Sequence, residues 1–380
     1  MKLVFDKDDF LANYWQKKPC LIRQGFVDFI DPVSPEILAG LAMEEGADSR
    51  IIESQTDTES GWLVTHGPFE EYEQFGESHW TLLVQSVNEW LPDVGDLITP
   101  FRFVPDWRID DVMVSFSCEN GGVGPHLDQY DVFIIQGAGS RHWRVGERQS
   151  MREYQPAADL CQVEGEFTAV IDEHLQAGDV LYIPAGCPHD GIALEPSLNY
   201  SVGFRAPSKA ELLLQLGDIA MQQESLQERY QDPELSSEDI SWEIADSQLS
   251  ALKSFLKDAL TGNDIDALLA RIISQSKRPL PEPELPTTAQ QVPDLLAQPN
   301  AFIEKASGAR FLKLSHTEFY GNGENFKIPQ EALATAEWLA QLQGSKPASE
   351  LAELAHLAPQ SELIAEMINQ GIIYLYINES

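Results

Sequence analysis

Apolar and polar positions follow two different patterns along this chain. Between about residues 100 and 205, apolar residues form short runs rich in β-branched and aromatic side chains, as in 112–117, 132–135 and 180–183. Turns that contain glycine separate these runs, and short strands with such turns are typical of a sandwich or barrel. We therefore predict a double-stranded β-helix (jelly roll), a mainly β fold that can hold a site between two sheets.

Helical spacing dominates on either side of this region. We predict helices over 35–43 and 79–90 before it. After it, the sequence Ser208-Lys209-Ala210-Glu211 has the form of a capping box, and helical spacing follows over 212–223, 248–259 and 265–273. The apolar faces of these helices are too small for a core of their own, so we expect a homodimer that buries them.

The end of the chain differs again. Six prolines between residues 277 and 299 forbid a continuous helix and suggest an extended linker. Beyond it we predict helices over 329–342, 348–357 and 361–369 and a strand over 372–377, an order typical of a winged helix. This part carries five Lys/Arg against ten Glu, a net charge of −5, whereas a DNA reader should be basic.

These patterns predict four segments. They are a catalytic domain over 1–206, a helical dimerisation region over 207–276, a proline-rich linker over 277–299 and a winged-helix-like domain over 300–380. For the last domain, a protein-contacting or purely structural role is the better interpretation.

Charge and composition narrow the function classes. The net charge of −36 argues against direct binding to nucleic-acid phosphates and favours a basic partner, although plain solubility explains it equally well. No apolar run approaches the roughly 20 residues of a membrane span. The acidic start lacks a secretory signal, and the four cysteines form no CxxC pair. We therefore expect a cytoplasmic protein without a membrane partner.

The tripeptide His126-Leu127-Asp128 and the distant His189 carry the candidate chemistry. Residues two apart on a strand point to the same face, and a third ligand from a neighbouring strand completes one face of an octahedral metal. Two imidazoles and a carboxylate form the facial triad of non-haem Fe(II) oxygenases. A lone HxD pair is common by chance, but the glycine turn before it and the motif over 178–189 make this arrangement specific.

An Fe(II) centre with open positions needs electrons to activate O2. A chelating 2-oxo acid supplies them through oxidative decarboxylation, and a cation must then hold its far carboxylate. Arg141 and Arg144 follow a glycine turn on a predicted strand. Alternation puts them on opposite faces, so only one can point inward, and spacing alone does not decide which.

The motifs over 115–117, 121–131, 133–137 and 178–189 resemble the JmjC-type ribosomal oxygenases of the cupin-4 superfamily, in particular the bacterial branch. The resemblance implies a JmjC/cupin jelly roll with His126, Asp128 and His189 as iron ligands. It implies that Arg141 binds the C5 carboxylate of 2-oxoglutarate, with help from Ser117. It also implies a helical dimerisation region and a C-terminal winged-helix-like domain.

By this resemblance the chain is an Fe(II)- and 2-oxoglutarate-dependent dioxygenase that 3-hydroxylates an arginine of large-subunit ribosomal protein sixteen. Glu119, Tyr130 and Asp131 lie beside the metal motif and are candidates to hold the substrate, although ordinary turn and strand-edge acids explain the two carboxylates as well. Three alternatives stay open: a lysine demethylase, a small-molecule hydroxylase, and a non-catalytic cupin-like regulatory binding protein.

Overall fold

The structure, a computed structural model, describes residues 2–232, 242, 244–262, 264–281 and 283–377. The chain divides into two units, Met1–Ala206 and Pro207–Ser380. This division falls at the predicted end of the catalytic domain. Across the described ranges, no helix combines the length and apolar character that crossing a membrane requires.

The first unit is built mainly from antiparallel strands in two sheets. The larger sheet has the order β1 (Cys20–Ile22), β11 (Val180–Ile183), β6 (Asp131–Gln136), β13 (Ser197–Phe204), β5 (Ile109–Ser117), β4 (Trp80–Val84), β2 (Ser49–Ser54), β3 (Trp62–His66). The smaller sheet has the order β10 (Ala169–Gln176), β7 (Ser140–Gly146), β12 (His189–Ala193). A separate hairpin pairs β8 (Glu153–Ala157) with β9 (Leu160–Val163).

Short helices accompany these sheets. The α-helices of the first unit are α1 (Lys7–Asn13), α2 (Pro35–Leu41) and α3 (Pro92–Gly95). Single-turn and short 3₁₀ segments lie at Glu73–Phe75, Val87–Glu89, Asp96–Phe101 and Asp106–Arg108. Helix α2 confirms the prediction over 35–43, and the Ser34 side chain caps it by accepting from the backbone N–H of Ile37.

Alternating side chains on β6 separate two apolar cores. Phe133 and Ile135 pack into the core on the outer face of the larger sheet. Val132 and Ile134 point the other way and pack with Trp143 of β7 between the two sheets. Two antiparallel sheets with a core between them confirm the predicted mainly β, jelly-roll architecture.

The predicted helix over 79–90 is wrong. Residues Trp80–Val84 form strand β4, in which every side chain is buried, and only Val87–Glu89 makes a short 3₁₀ turn. β4 lies between β2 and β5, so both of its edges are paired. A short continuous apolar run of this kind fits a buried strand or a buried helix equally well, and periodicity cannot separate them.

The second unit combines helices with two small sheets. Its α-helices are α4 (Lys209–Ala220), α5 (Asp246–Thr261), α6 (Ile265–Ser274), α7 (Val292–Leu296), α8 (Leu333–Gln341), α9 (Ala348–Ala352) and α10 (Ala358–Asn369), with 3₁₀ turns at Glu224–Leu226 and Gln330–Ala332. One sheet has the order β18 (Lys346–Pro347), β14 (Ala301–Lys305), β19 (Ile373–Ile377), and the other β15 (Phe311–Lys313), β16 (Glu318–Gly321), β17 (Glu324–Lys327).

In the second unit, the structure contains the predicted capping box but also strands that were not predicted. The capping box at Ser208 and Glu211 is present, with reciprocal hydrogen bonds of 3.1 and 2.7 Å. Strands β14 to β17 were not predicted, because runs of three to five residues give little periodic signal. Residues 378–380 of the predicted last domain lie outside the described residues.

The proline-rich segment, predicted as an extended linker, packs against other parts of the second unit. Val292 and Leu296 of α7 are buried in the core of the second unit. The Thr287 backbone exchanges two hydrogen bonds with the Asn369 side chain, of 2.7 and 2.9 Å. Prolines exclude a continuous helix, but they do not prevent an extended segment from packing, and composition gives no sign of that packing.

Candidate active site

His126, Asp128 and His189 come together beside the smaller sheet. Their ligand atoms all lie within 4.8 Å of one another. The two histidines exchange backbone N–H···O bonds of 3.0 and 2.8 Å, and their ring centroids are 4.1 Å apart. The Nε2 atom of His189 is 3.6 Å from Oδ2 of Asp128. The structure thus brings together the three residues predicted as iron ligands.

The hydrogen bonds of both imidazoles suit a metal. His126 Nδ1 lies 2.9 Å from the Gly124 carbonyl oxygen, and His189 Nδ1 lies 3.0 Å from that of Cys187. A carbonyl only accepts, so each Nδ1 donates and each Nε2 keeps its lone pair for a ligand bond. Burial, and to a smaller extent the nearby His126, lowers the pKa of His189 to about 4. This ring is therefore neutral at pH 7. The donor set therefore fits Fe(II).

A close backbone approach fixes the loop before the first ligand. A Cβ on Gly122 would lie only 2.7 Å from the carbonyl oxygen of Gly191 in β12. Glycine is therefore the residue that lets this turn pass against the strand that begins with His189. The glycine-rich signal in the sequence has this steric origin.

A cavity of about 250 Å³ connects the triad to the space between the two sheets. Arg141 of β7 lines it and is only 5% exposed. The guanidinium donates to the Oγ atoms of Ser197 and Ser115, at 2.9 and 3.1 Å, and to the carbonyl oxygens of both residues, at 3.1 Å each. All of these partners are neutral, and burial lowers the pKa of Arg141 to about 9. The cavity wall thus contains a cation that remains charged at pH 7. None of these hydrogen-bond partners is a carboxylate.

Arg144 lies on the opposite face of β7. Its Nε is 3.9 Å from a carboxylate oxygen of Asp172, and its guanidinium lies 5.3 Å from the ring centroid of Phe167. It is not among the residues that line the cavity. The choice that spacing left open is therefore decided by the structure, which places Arg141 inward and Arg144 outward.

Two residues that were predicted to belong to the site lie outside the cavity wall. Ser117 is buried, and its Oγ lies 2.7 Å from the Thr81 hydroxyl. The serines that accept hydrogen bonds from Arg141 are instead Ser115 and Ser197. Glu119 is exposed in the turn after β5 and does not line the cavity. The structure does not bring either side chain into the cavity wall.

Asp131 and Tyr130 separate although they are neighbours in sequence. Asp131 is 1% exposed and accepts hydrogen bonds from the Tyr182 hydroxyl at 2.8 Å and from Arg108 at 3.2 Å. It therefore faces the core beneath the larger sheet. Tyr130 lines the cavity and lies beside Asp128. Burial and then the charge of Asp128 hold the pKa of Tyr130 well above its ordinary value, so its hydroxyl stays protonated.

The cavity also contains polar residues that were not predicted from the sequence. Asn199 is 1% exposed and lines the cavity, yet neither Oδ1 nor Nδ2 has a hydrogen-bond partner in the described part of the chain. The buried Nε1 of Trp143 has none there either. Such groups are costly to leave unpaired, so they are suited to a ligand. The polar positions Ser197, Asn199 and Ser201, alternating with apolar ones, were the available signal.

Comparisons with known proteins agree with this geometry. A JmjC domain model matches residues 96–212. The ribosomal protein uL16 3-hydroxylase of Escherichia coli is 44% identical over 331 residues, which cover 86% of this chain and 87% of that protein. A probable ribosomal oxygenase of Haemophilus influenzae is 32% identical over 336 residues, covering 83% of this chain and 80% of that protein.

Solved structures extend the similarity to the whole fold. The X-ray structure of E. coli YcfD superposes with a TM-score of 0.89 at 40% identity and covers 99% of this chain and 100% of that one. A structure of YcfD, a ribosomal oxygenase, in complex with cobalt and 2-oxoglutarate gives a TM-score of 0.87 at 39% identity, with 98% and 99% coverage.

Proposed function

Because this chain belongs to the JmjC-domain ribosomal oxygenases, we propose that it uses Fe(II), 2-oxoglutarate and O2 to 3-hydroxylate an arginine of the large-subunit ribosomal protein uL16. The observation that carries the proposal is one cavity that holds both the His126, Asp128 and His189 triad and the buried Arg141. A metal-chelating 2-oxo acid needs these two features together.

The smaller sheet supplies both His189 and Arg141, and residues of the larger sheet orient Arg141. Iron and 2-oxoglutarate, when bound, supply the oxidising chemistry through decarboxylation of the 2-oxo acid. His126, Asp128 and His189 would hold the iron. Arg141 would bind the C5 carboxylate with its guanidinium, which Ser115 and Ser197 already orient. Binding this carboxylate gives the buried cation the counter-charge that its neutral partners do not provide.

Asn199 and Trp143 complete the cosubstrate end of the cavity. Asn199 lies opposite Ser115 in the pairing of β13 with β5, next to the residue that orients Arg141. Its unpaired amide can both donate and accept, and the Trp143 indole N–H can donate. We assign both residues to orienting the 2-oxo acid, since ligand oxygen atoms would satisfy these buried groups.

The other end of the cavity suits a guanidinium. Tyr130 offers an aromatic face on which arginine stacks. The carboxylates of Asp128, Asp111 and Asp110 all act on the Tyr130 hydroxyl, and each raises its pKa. These carboxylates favour a basic substrate side chain near Tyr130 over a neutral one. Glu119 and Asp131 lie outside the cavity wall, so we centre substrate binding on Tyr130.

The charge of the whole chain fits the same substrate. A net charge of −36 steers a basic ribosomal protein towards the enzyme and repels nucleic-acid phosphates. We therefore infer that the protein substrate is bound without direct contact to RNA. We also infer a cytoplasmic reaction, because the proposed substrate is a ribosomal protein.

The test is a hydroxylation assay on purified uL16. Enzyme, Fe(II), ascorbate and 2-oxoglutarate should add one oxygen atom to uL16, and fragmentation should place it on an arginine. His126→Ala should abolish the gain. Arg144→Met, on the outer face of the same strand as Arg141, should retain it. If wild-type enzyme consumes 2-oxoglutarate while uL16 gains no oxygen, the assigned substrate is wrong. If it consumes none, the oxygenase assignment itself fails.

We also propose that the chain forms a homodimer through α4 and α5. Leu213 and Leu214 of α4 are 59% and 69% exposed, and Leu256 of α5 is 63% exposed. Apolar side chains at this exposure gain stability when a second copy covers them. Sedimentation should show a dimer that Leu214→Asp with Leu256→Asp converts to a monomer. Leu285→Asp, at a leucine 80% exposed outside these helices, is the matched control. A wild-type monomer would contradict this proposal alone.

A further inference from the structure

The β8–β9 hairpin is hydrogen-bonded to the turn that precedes the first iron ligand, His126. Gln162 of β9 is 1% exposed. Its Nε2 donates to the carbonyl oxygen of Val123 at 2.8 Å. In the next residue of the hairpin, the backbone N–H of Val163 donates to the carbonyl oxygen of Pro125 at 2.9 Å. Both ends of the three-residue segment before His126 are therefore fixed by the same strand.

Gln162 also occupies the space beside Gly124, the middle residue of this segment. Gly124 has a φ of +76°, and a Cβ built on it would lie 2.1 Å from Nε2 of Gln162. The carbonyl oxygen of Gly124 accepts the Nδ1–H of His126. The Gln162 amide thus packs against the residue that orients the imidazole, two residues before the ligand. A larger residue at 124 would displace one or the other.

A tyrosine on the partner strand fixes the orientation of the amide. Tyr154 lies directly opposite Gln162 in the pairing of β8 with β9, and its hydroxyl donates to Oε1 at 3.0 Å. The Val123 carbonyl can only accept, so the amide nitrogen must face it and the amide oxygen must face the hydroxyl. Both ends of the buried amide are thereby satisfied, and such a fully paired group is rigid.

We propose that Gln162 is a positioning residue of the metal centre, which holds the Val123–Pro125 turn so that His126 presents Nε2 to the iron. The proposal rests on the metal site proposed above. It assigns a function to a hairpin whose neighbouring residues Leu160 and Cys161 line the cavity. Outer partners that orient a metal-binding histidine are typically worth about 10- to 100-fold in metal affinity.

Two substitutions separate positioning from bulk packing. Gln162→Met keeps the length and apolar volume of the side chain but removes both hydrogen bonds. Gln162→Glu keeps an acceptor for Tyr154 and places a carboxylate oxygen against the Val123 carbonyl. Arg152→Ala is the matched control next to the hairpin, since that side chain is 81% exposed and its ion pair within the described residues is with Glu164, at 3.4 Å.

The measurement is Co(II) binding to the metal-free full-length protein, followed by the visible absorption of the bound ion. Gln162→Met and Gln162→Glu should each raise the Kd about tenfold and alter the shape of the spectrum, because His126 is displaced. Tyr154→Phe should show a smaller change of the same kind, and Arg152→Ala none. The thermal midpoint of each metal-free variant is recorded in parallel.

A purely structural role for Gln162 predicts a different outcome. The thermal midpoint would then fall while the Kd and the spectrum of the folded fraction matched wild type, and that result would overturn the proposal. If Gln162→Met does not fold, Gln162→Glu and Tyr154→Phe decide on the same criteria. Failure of wild-type protein to bind Co(II) would instead refute the metal site itself, before Gln162 is considered.

Discussion

Replacing Arg141 with methionine should separate cosubstrate binding from folding. Methionine replaces the aliphatic stem of the arginine but lacks the guanidinium and its charge. In the native protein, burial lowers the pKa of Arg141 to about 9. An ordinary arginine lies at or above about 12.5, and each pKa unit corresponds to about 1.36 kcal/mol, so burying the charge costs about 5 kcal/mol.

Hydrogen bonds offset that cost in the protein without cosubstrate. The guanidinium donates to four oxygen atoms of Ser115 and Ser197, and a bond of a charged donor contributes about 1.5–3 kcal/mol. Arg141→Met removes both the penalty and the bonds. At the lower value the four bonds together contribute about 6 kcal/mol, which slightly exceeds the penalty, so we expect the free energy of unfolding of the metal-free protein to fall by about 1–2 kcal/mol.

Binding of 2-oxoglutarate should respond very differently. Loss of one partner of a buried, hydrogen-bonded charge pair costs about 2–5 kcal/mol, so the affinity should fall at least about 30-fold. Calorimetric titration of the Co(II)-loaded protein with 2-oxoglutarate measures the affinity, and urea unfolding measures stability. Arg144→Met is the control. Equal losses of affinity in both variants, or an unchanged affinity in Arg141→Met, would refute this reasoning.

Three further predictions concern other residues of the same chain. Asn199→Leu removes a buried amide that has no hydrogen-bond partner among the described residues. Urea unfolding should therefore show the metal-free protein stabilised by about 1 kcal/mol, while calorimetry should show 2-oxoglutarate bound about tenfold more weakly. Asp131→Asn breaks the buried pair with Arg108 and should destabilise the protein by about 3 kcal/mol, with an unchanged KM for 2-oxoglutarate in turnover assays; a raised KM would mean that Asp131 acts in the site. Partial desolvation and then the charge of Glu324 raise the pKa of Glu366, which disfavours its ionised form, so Glu366→Gln should raise the thermal midpoint at pH 7.5. That gain should shrink at pH 5, where the native carboxyl is closer to protonation, and a larger gain at pH 5 would contradict it.

The metal site was the most predictable part of this protein. The spacing of His126 and Asp128 led us to predict two ligands on one side of a strand. In the structure both residues lie in the irregular segment between β5 and β6, where His126 forms a single bridge with His189. The choice between Arg141 and Arg144 needed the fold, because alternation separates the two faces of a strand but does not say which faces inward.

Other features depended on contacts that sequence does not encode locally. Asn199 and Trp143 acquire their importance only because strands distant in sequence place them in one cavity. Gln162 is 36 residues beyond His126, and nothing in its immediate sequence connects it to a metal. The run 80–84 became a strand because β2 and β5 pair with it, a tertiary effect that overrides any local preference.

The larger sheet sets a limit on how this enzyme can be divided. The JmjC match begins at residue 96, yet β4 pairs with β5 and β1 pairs with β11. A fragment cut at that residue would leave β5 and β11 as uncovered edge strands, and exposed apolar edges aggregate. The stretch that is recognisable as a JmjC domain is therefore smaller than the stretch that can fold. Recombination between relatives that preserves activity must exchange the first 95 residues together with the metal motif.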